Sequence, residues 1–224
     1  MNARTLTRTG FLSSLAGAML IAAAPEALAT GVRNLEAEQF VQAGVTSALQ
    51  ALANRGVPSS VRHQTFEQLI AEFSDMPRIA FFVLGRYGSA LRTDAQLRTD
   101  WYRTFQEYSI ATYEDKLDDF SNSTVRVTDS LQRSPTEVIV STEMTRRGQS
   151  RPTVVQWRLY RAGSAWKVND VAIAGSGAQI WLAARQQGDF LALLENTHHG
   201  DIRALMADVQ GLTARMRQRV MARS

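Results

Sequence analysis

Ile79-Ala80-Phe81-Phe82-Val83-Leu84-Gly85-Arg86-Tyr87 sets six large apolar or aromatic side chains around one turn-forming glycine. A helix lying on a surface needs only a stripe of such residues, so a segment apolar on every side must be enclosed from more than one direction. About fifty residues later come three strand-like runs that could cover it, residues 137–146, 153–161 and 166–174. The expected arrangement is helix against sheet with an apolar space between them, and that space is the expected functional site.

Upstream of this stretch the pattern is helical. Asn34 precedes a run with Glu36 and Glu38 in its first turn, Phe40, Val41, Val45, Leu49 and Leu52 on one face, and Gly56 just past its end. Pro58 breaks the chain, and Ser60 is placed to cap a second helix carrying Phe66, Leu69, Ile70 and Phe73 at i, i+3, i+4 and i+7. Asp75, followed by Met76 and Pro77, is the start signal of the short apolar helix that Gly85 should end. Thr93 and Gln96 have capping-box spacing, and a long helix follows to about Leu117 with Leu97, Trp101, Phe105, Tyr108 and Thr112 along one side.

Past Asp119 the period changes from 3.6 to 2. Val125 and Val127, then Val138, Val140, Thr142 and Met144, then Val155, Trp157 and Leu159 alternate with polar neighbours, and a fourth strand runs from Trp166 to the turn Gly175-Ser176-Gly177. Ser134-Pro135, Gly148 with Pro152, and Gly163-Ser164 read as connections between antiparallel neighbours. The chain then reads as helix again, from Ile180, Trp181 and Leu182 through Phe190 to Leu194. His198-His199-Gly200 forms a loop, and Asp201 caps a last helix with Ile202, Leu205, Val209 and Leu212 on its buried side. N-terminal helices, a four-stranded antiparallel sheet and C-terminal helices enclosing an apolar cavity make an α+β domain.

Arg4 and Arg8 precede an almost uncharged apolar run over residues 11–24, and Ala27-Leu28-Ala29 has the small-x-small pattern of a signal peptidase site. Residues 1–29 therefore read as a secretory signal peptide cleaved after Ala29, and residues 30–224 as a single domain. The second arginine of a twin-arginine signal is missing, so the general secretory route is expected. The apolar run is short for a membrane span and is closed by Pro25 and Glu26. The chain of 224 residues has no cysteine, which excludes disulfides, thiol catalysis and cysteine-metal sites. Removing the leader leaves 23 Lys plus Arg against 20 acidic residues, too small an excess to argue for nucleic-acid binding. Only Lys116 and Lys167 are lysines. Most of the arginines read as a solvated surface, though such cations could also meet anionic headgroups.

Constellations for catalysis are sparse, and no catalytic residue, metal or cofactor is expected. His198 and His199 are adjacent and on a helix would point about 100° apart, so they cannot form an i, i+4 metal pair. His63 reads as a solvated surface residue. There is no nucleophile elbow and no phosphate-binding glycine loop. The one enzymatic alternative is a cone-shaped α+β fold with Asp170 near Tyr108 or Tyr113 moving a proton on an apolar substrate, although a structural hydrogen bond suits Asp170 better. A closed-core envelope adaptor is the other alternative.

Residues 79–87, the helix from Gln96 with its Phe105, Tyr108 and Tyr113 spacing, the run Trp166-Lys167-Val168-Asn169-Asp170-Val171-Ala172-Ile173-Ala174-Gly175, and Gly200-Asp201-Ile202-Arg203-Ala204-Leu205 together resemble the MlaC family of periplasmic phospholipid carriers. The likeness runs from roughly Phe66 to Val209 in unbroken order. Gly88 stands where that family often has Trp, and Ala174 and Gly177 replace an acidic residue and a serine. The resemblance implies a non-enzymatic, monomeric carrier of phospholipid, or of a hopanoid or other apolar molecule, working between an outer-membrane lipoprotein complex and an inner-membrane ABC transporter complex. At ~0.8 kcal/mol per buried methylene, two chains of about fifteen carbons call for roughly 24 kcal/mol of burial, which only a deep dry cavity supplies. Its expected lining is Phe82, Leu84 and Tyr87 from the short helix, Trp101, Phe105 and Tyr108 from the long one, and Val138, Val140, Met144, Val155 and Trp157 from the sheet. Val171 and Ile173 would close one end, with Arg86 or Arg158 near the headgroup. Each of these apolar side chains reads equally well as ordinary core.

Overall fold

The computed structural model describes residues 32–222 apart from 55, 118–121 and 175–178. The expected leader at residues 1–29 and the turn at 175–177 lie outside the described residues. The N-terminal helix α1, Leu35–Ala53, is capped by Asn34, whose side chain accepts from Ala37 N at 2.9 Å, and Glu36 and Glu38 meet the positive end of its dipole. Helix α2, Ser59–Phe73, starts directly after Pro58 with no side-chain cap, so the expected role of Ser60 is corrected; the fixed φ of proline sets the first turn instead. Helix α3, Met76–Val83, is capped by Asp75 with Pro77 in its first turn. Gly85 then takes φ +52° and opens a 3-10 segment, Gly85–Arg92. A Cβ at Gly85 would stand 3.1 Å from a Leu191 methyl.

Helix α4, Ala95–Leu117, is capped by Asp94, which accepts from Leu97 N at 2.8 Å. The expected Thr93 and Gln96 box does not form: Thr93 donates to Ala90 O and Gln96 reaches Asp100. An ionised carboxylate one residue nearer the helix is the stronger partner for its free N–H groups.

Among the described residues the sheet has five strands, not the four expected. They are β1 Thr124–Ser134, β2 Glu137–Thr145, β3 Thr153–Ala162, β4 Ala165–Ala174 and β5 Gln179–Trp181, in sequential antiparallel order. Ile180 and Trp181, expected as helix, pair with Ile173 and Ala172. Three residues are too few to display a period, whereas an aromatic and a β-branched residue suit a pleated edge. β1 runs well past Thr128 because the register shifts between Val127 and Asp129, a bulge that hides the alternation. Helix α5, Leu182–Asn196, and helix α6, Ile202–Ala222, follow; Asp201 caps α6 by accepting from Arg203 N at 2.8 Å. Leu212, expected on the buried side of α6, is exposed.

β1 is an edge, and α1 covers it with side chains. Gln42 accepts from Val127 N and donates to Val125 O, while Asn34 N donates to Ser130 Oγ. The two Gln42 bonds satisfy strand-edge backbone groups, which blocks pairing with another chain at that point. The buried side chains form two clusters. One is helical, joining α2 to α6 through Phe66, Ile70, Ile79, Trp101, Phe105, Phe190 and Leu205. The second joins α1 to the sheet through Val41, Val45, Leu49, Val138, Val140, Met144, Val155 and Leu159.

Candidate functional site

A pocket of about 270 Å³ is lined from both clusters. From the helical side come Ile70, Ile79, Tyr113 and Ala183; from the sheet side come Val45, Leu49, Met144, Val155 and Val168. Phe73, Trp157, Val171, Ile173 and Leu182 complete a mainly apolar wall, interrupted by Ser74, Thr112, Thr153, Asn169, Asp170 and Gln186.

The wall is held in place by specific bonds. Trp157 Nε1 donates to Thr142 Oγ1 at 2.9 Å, and Thr142 Oγ1 donates to Val155 O at 3.1 Å, which fixes the indole on β3. The end of α2 is stitched to β4 by Asp75 N donating to Val168 O at 3.1 Å. Trp101 Nε1 donates to Ala80 O at 2.7 Å in the buried interior, anchoring α3 on α4. Gln187 donates to Phe82 O at 2.6 Å from α5.

Asp170 Oδ1 accepts from Val171 N and Ala183 N, both at 2.8 Å, so a strand carboxylate caps the first turn of α5. Burial pushes its pKa up, opposed by the N–H donors of Ala183 and Val171 and by the Arg158 charge. Burial likewise pushes the Tyr113 phenol up to about 12, with Asp170 adding to the effect, so Tyr113 stays neutral. The carboxylate is thus committed to backbone donors, as a structural bond requires.

Of the expected lining, Met144, Val155, Trp157, Val171 and Ile173 stand on the pocket wall. The rest stand elsewhere. Leu84, Trp101 and Phe105 are fully buried in the helical cluster, with Tyr87 and Tyr108 packed against it, and Val138 and Val140 lie in the sheet cluster. Phe82 is 44% exposed, outside the buried face of α3 formed by Met76, Ile79, Ala80 and Val83. Arg86 pairs with Glu195 at 2.8 Å; Arg158 pairs with Glu137 at 3.4 Å and lies 4.4 Å over the Trp181 ring. The part of the wall that sequence reasoning missed comes from α1, α2 and α5, and also from Ile79 on α3, Thr112 and Tyr113 on α4, Thr153 on β3 and residues 168–170 of β4. Its signal, the stripe from Val45 to Leu49 and from Ile70 to Phe73, was visible but indistinguishable from core.

His63 is not a free surface residue. Its Nδ1 lies 2.7 Å from Glu114 Oε1, joining α2 to α4, and that hydrogen bond raises the imidazole pKa. His198 Nε2 lies 2.8 Å from Asp208 Oδ2, ahead of the α6 cap. Among the described residues no group of three or more His, Asp or Glu could hold a metal ion, and no helix is long and apolar enough to cross a membrane.

The family model for MlaC protein matches residues 41–211. Among solved structures the chain is similar to the phospholipid-binding protein from Ralstonia solanacearum in complex with a phospholipid. The TM-score is 0.67 and the identity 22%, over 80% of this chain and 98% of that one. At that identity the likeness is one of fold. No curated protein matches the chain.

Proposed function

The chain belongs to the MlaC family, and from that premise we propose that it is a periplasmic phospholipid carrier. Acyl chains enter the pocket between the two clusters, and the headgroup stays at its mouth. In this reading the protein moves lipid between an outer-membrane lipoprotein complex and an inner-membrane ABC transporter complex without chemical conversion. The observation that carries the reading is the pocket itself, an apolar interval lined both by the cluster of α1 with the sheet and by the cluster of the other helices. A solved protein of the same fold holds a phospholipid, which supports the same use here.

The size of the pocket has a consequence. At about 270 Å³ it lies below the ~300–1,000 Å³ of ordinary ligand pockets, so two acyl chains require the clusters to move apart. Roughly 0.8 kcal/mol per methylene buried is available to drive that separation. Met144 on the wall suits the task, since a flexible thioether adapts to chains of different shape, while the held indole of Trp157 offers a broad apolar face.

Mass spectrometry under denaturing conditions, on the mature protein purified without detergent, tests the proposal. Co-purified phospholipid at a fixed ratio is the expected result. Protein free of stoichiometric lipid would sink the carrier, and a hopanoid in place of phospholipid would keep the carrier but change its cargo.

A further inference from the structure

Gly44 lies in the middle of α1, where glycine is the least favourable ordinary residue after proline, so its presence there calls for a packing reason. The reason is the ring of Phe73. A Cβ at Gly44 would fall 2.2 Å from Phe73 Cε2 and 2.3 Å from Cδ2. To regain a ~3.5 Å carbon–carbon separation the ring would have to retreat by about 1.3 Å. Phe40, one turn before Gly44, stacks on the same ring at 4.9 Å, and Trp157 meets it edge-on at 5.8 Å. Trp157 is itself pinned to Thr142. The ring is therefore bounded by Gly44, Phe40 and Trp157, and the space it borders beyond them is the pocket, which Phe73 lines.

We propose that Gly44 and Phe73 together gauge the cargo: the bare helix surface at Gly44 lets Phe73 lie back against α1, and the room so left sets how much acyl chain the pocket accepts. Phe73 is the wall and Gly44 the residue that positions it. Any side chain at residue 44 moves the ring into the pocket, and loss of the ring extends the pocket toward α1. This rests on the carrier reading and adds a determinant of chain length to it.

The test uses the full mature chain and its Gly44→Ala, Phe73→Ala and Gly44→Ala/Phe73→Ala variants, purified without detergent. Bound lipid per protein and acyl composition are read by mass spectrometry, and folding by circular dichroism. Gly44→Ala is expected to shift the bound lipid to shorter or fewer chains, each methylene denied burial lowering affinity about fourfold. Phe73→Ala is expected to shift it to longer chains, and the double variant to match Phe73→Ala, because the added methyl acts only through the ring. A Gly44→Ala cargo identical to wild type, or a double variant that keeps the Gly44→Ala loss, overturns the gauge. Should Gly44→Ala not fold, Phe73→Leu decides: longer chains support the gauge and unchanged chains overturn it. Wild-type protein without lipid would instead overturn the carrier reading, so the two failures are distinct.

Discussion

Asp170 ties the last long strand to the helix that follows the short one, and its removal should be felt at that joint. Asp170→Ala strips the acceptor from Val171 N and Ala183 N. It is expected to cost about 1–2 kcal/mol, or roughly 2–8 °C in Tm by calorimetry, whereas Asp170→Asn keeps one acceptor oxygen and should lose less. His63 gives a dependence on pH with a definite sign. Its folded pKa is raised by Glu114, so the stability it contributes is fully present below the unfolded value of ~6.5 and is lost as pH rises through the higher folded one. Denaturant midpoints of the wild type should fall across that window, and those of His63→Gln should not. Neither role was equally legible. The bond to Asp170 was anticipated from its place in the Trp166 strand run, but Glu114 lies fifty-one positions from His63 and nothing local connects them.

At the scale of the element, the aromatic helix α4 acts as the strut for α3. Trp101→Phe keeps most of the buried area but leaves Ala80 O without its donor, an expected loss of about 1–3 kcal/mol. Hydrogen exchange should speed up in α3 and leave the β2 and β3 amides as they were; uniform acceleration would refute the strut. Helix stretches with caps and a long apolar period, α1, α3, α4 and α6, were readable from sequence because their signals are local. β5 was not, because three residues form a strand only through their partners on β4. The full length of β1 was concealed by its bulge, and its edge is closed by Gln42, a residue whose role appears only once α1 lies across the strand.

For the whole molecule, the decisive property is that the apolar interior comes in two parts. Val140 and Val155 are diagonal neighbours on the paired strands β2 and β3, yet they differ in surroundings: Val140 is fully enclosed by the sheet cluster, while Val155 also reaches the pocket. Val155→Arg is expected to give a folded protein without lipid, and Val140→Arg a protein that does not fold, since its charge has no route to water. Circular dichroism with lipid extraction separates the outcomes, and a folded, lipid-bearing Val155→Arg would refute the assignment of the wall. Periodicity shows which side chains turn inward, yet it is silent on whether two inward-facing surfaces touch, which is why Trp101 and Phe105 were expected at the cargo and stand in solid packing. A fold whose two apolar clusters meet at a pocket also has a mechanical weakness. Hydrostatic pressure favours whichever state eliminates internal void, so the emptied protein should unfold at lower pressure than the laden one, and cargo would serve as the missing middle of the fold.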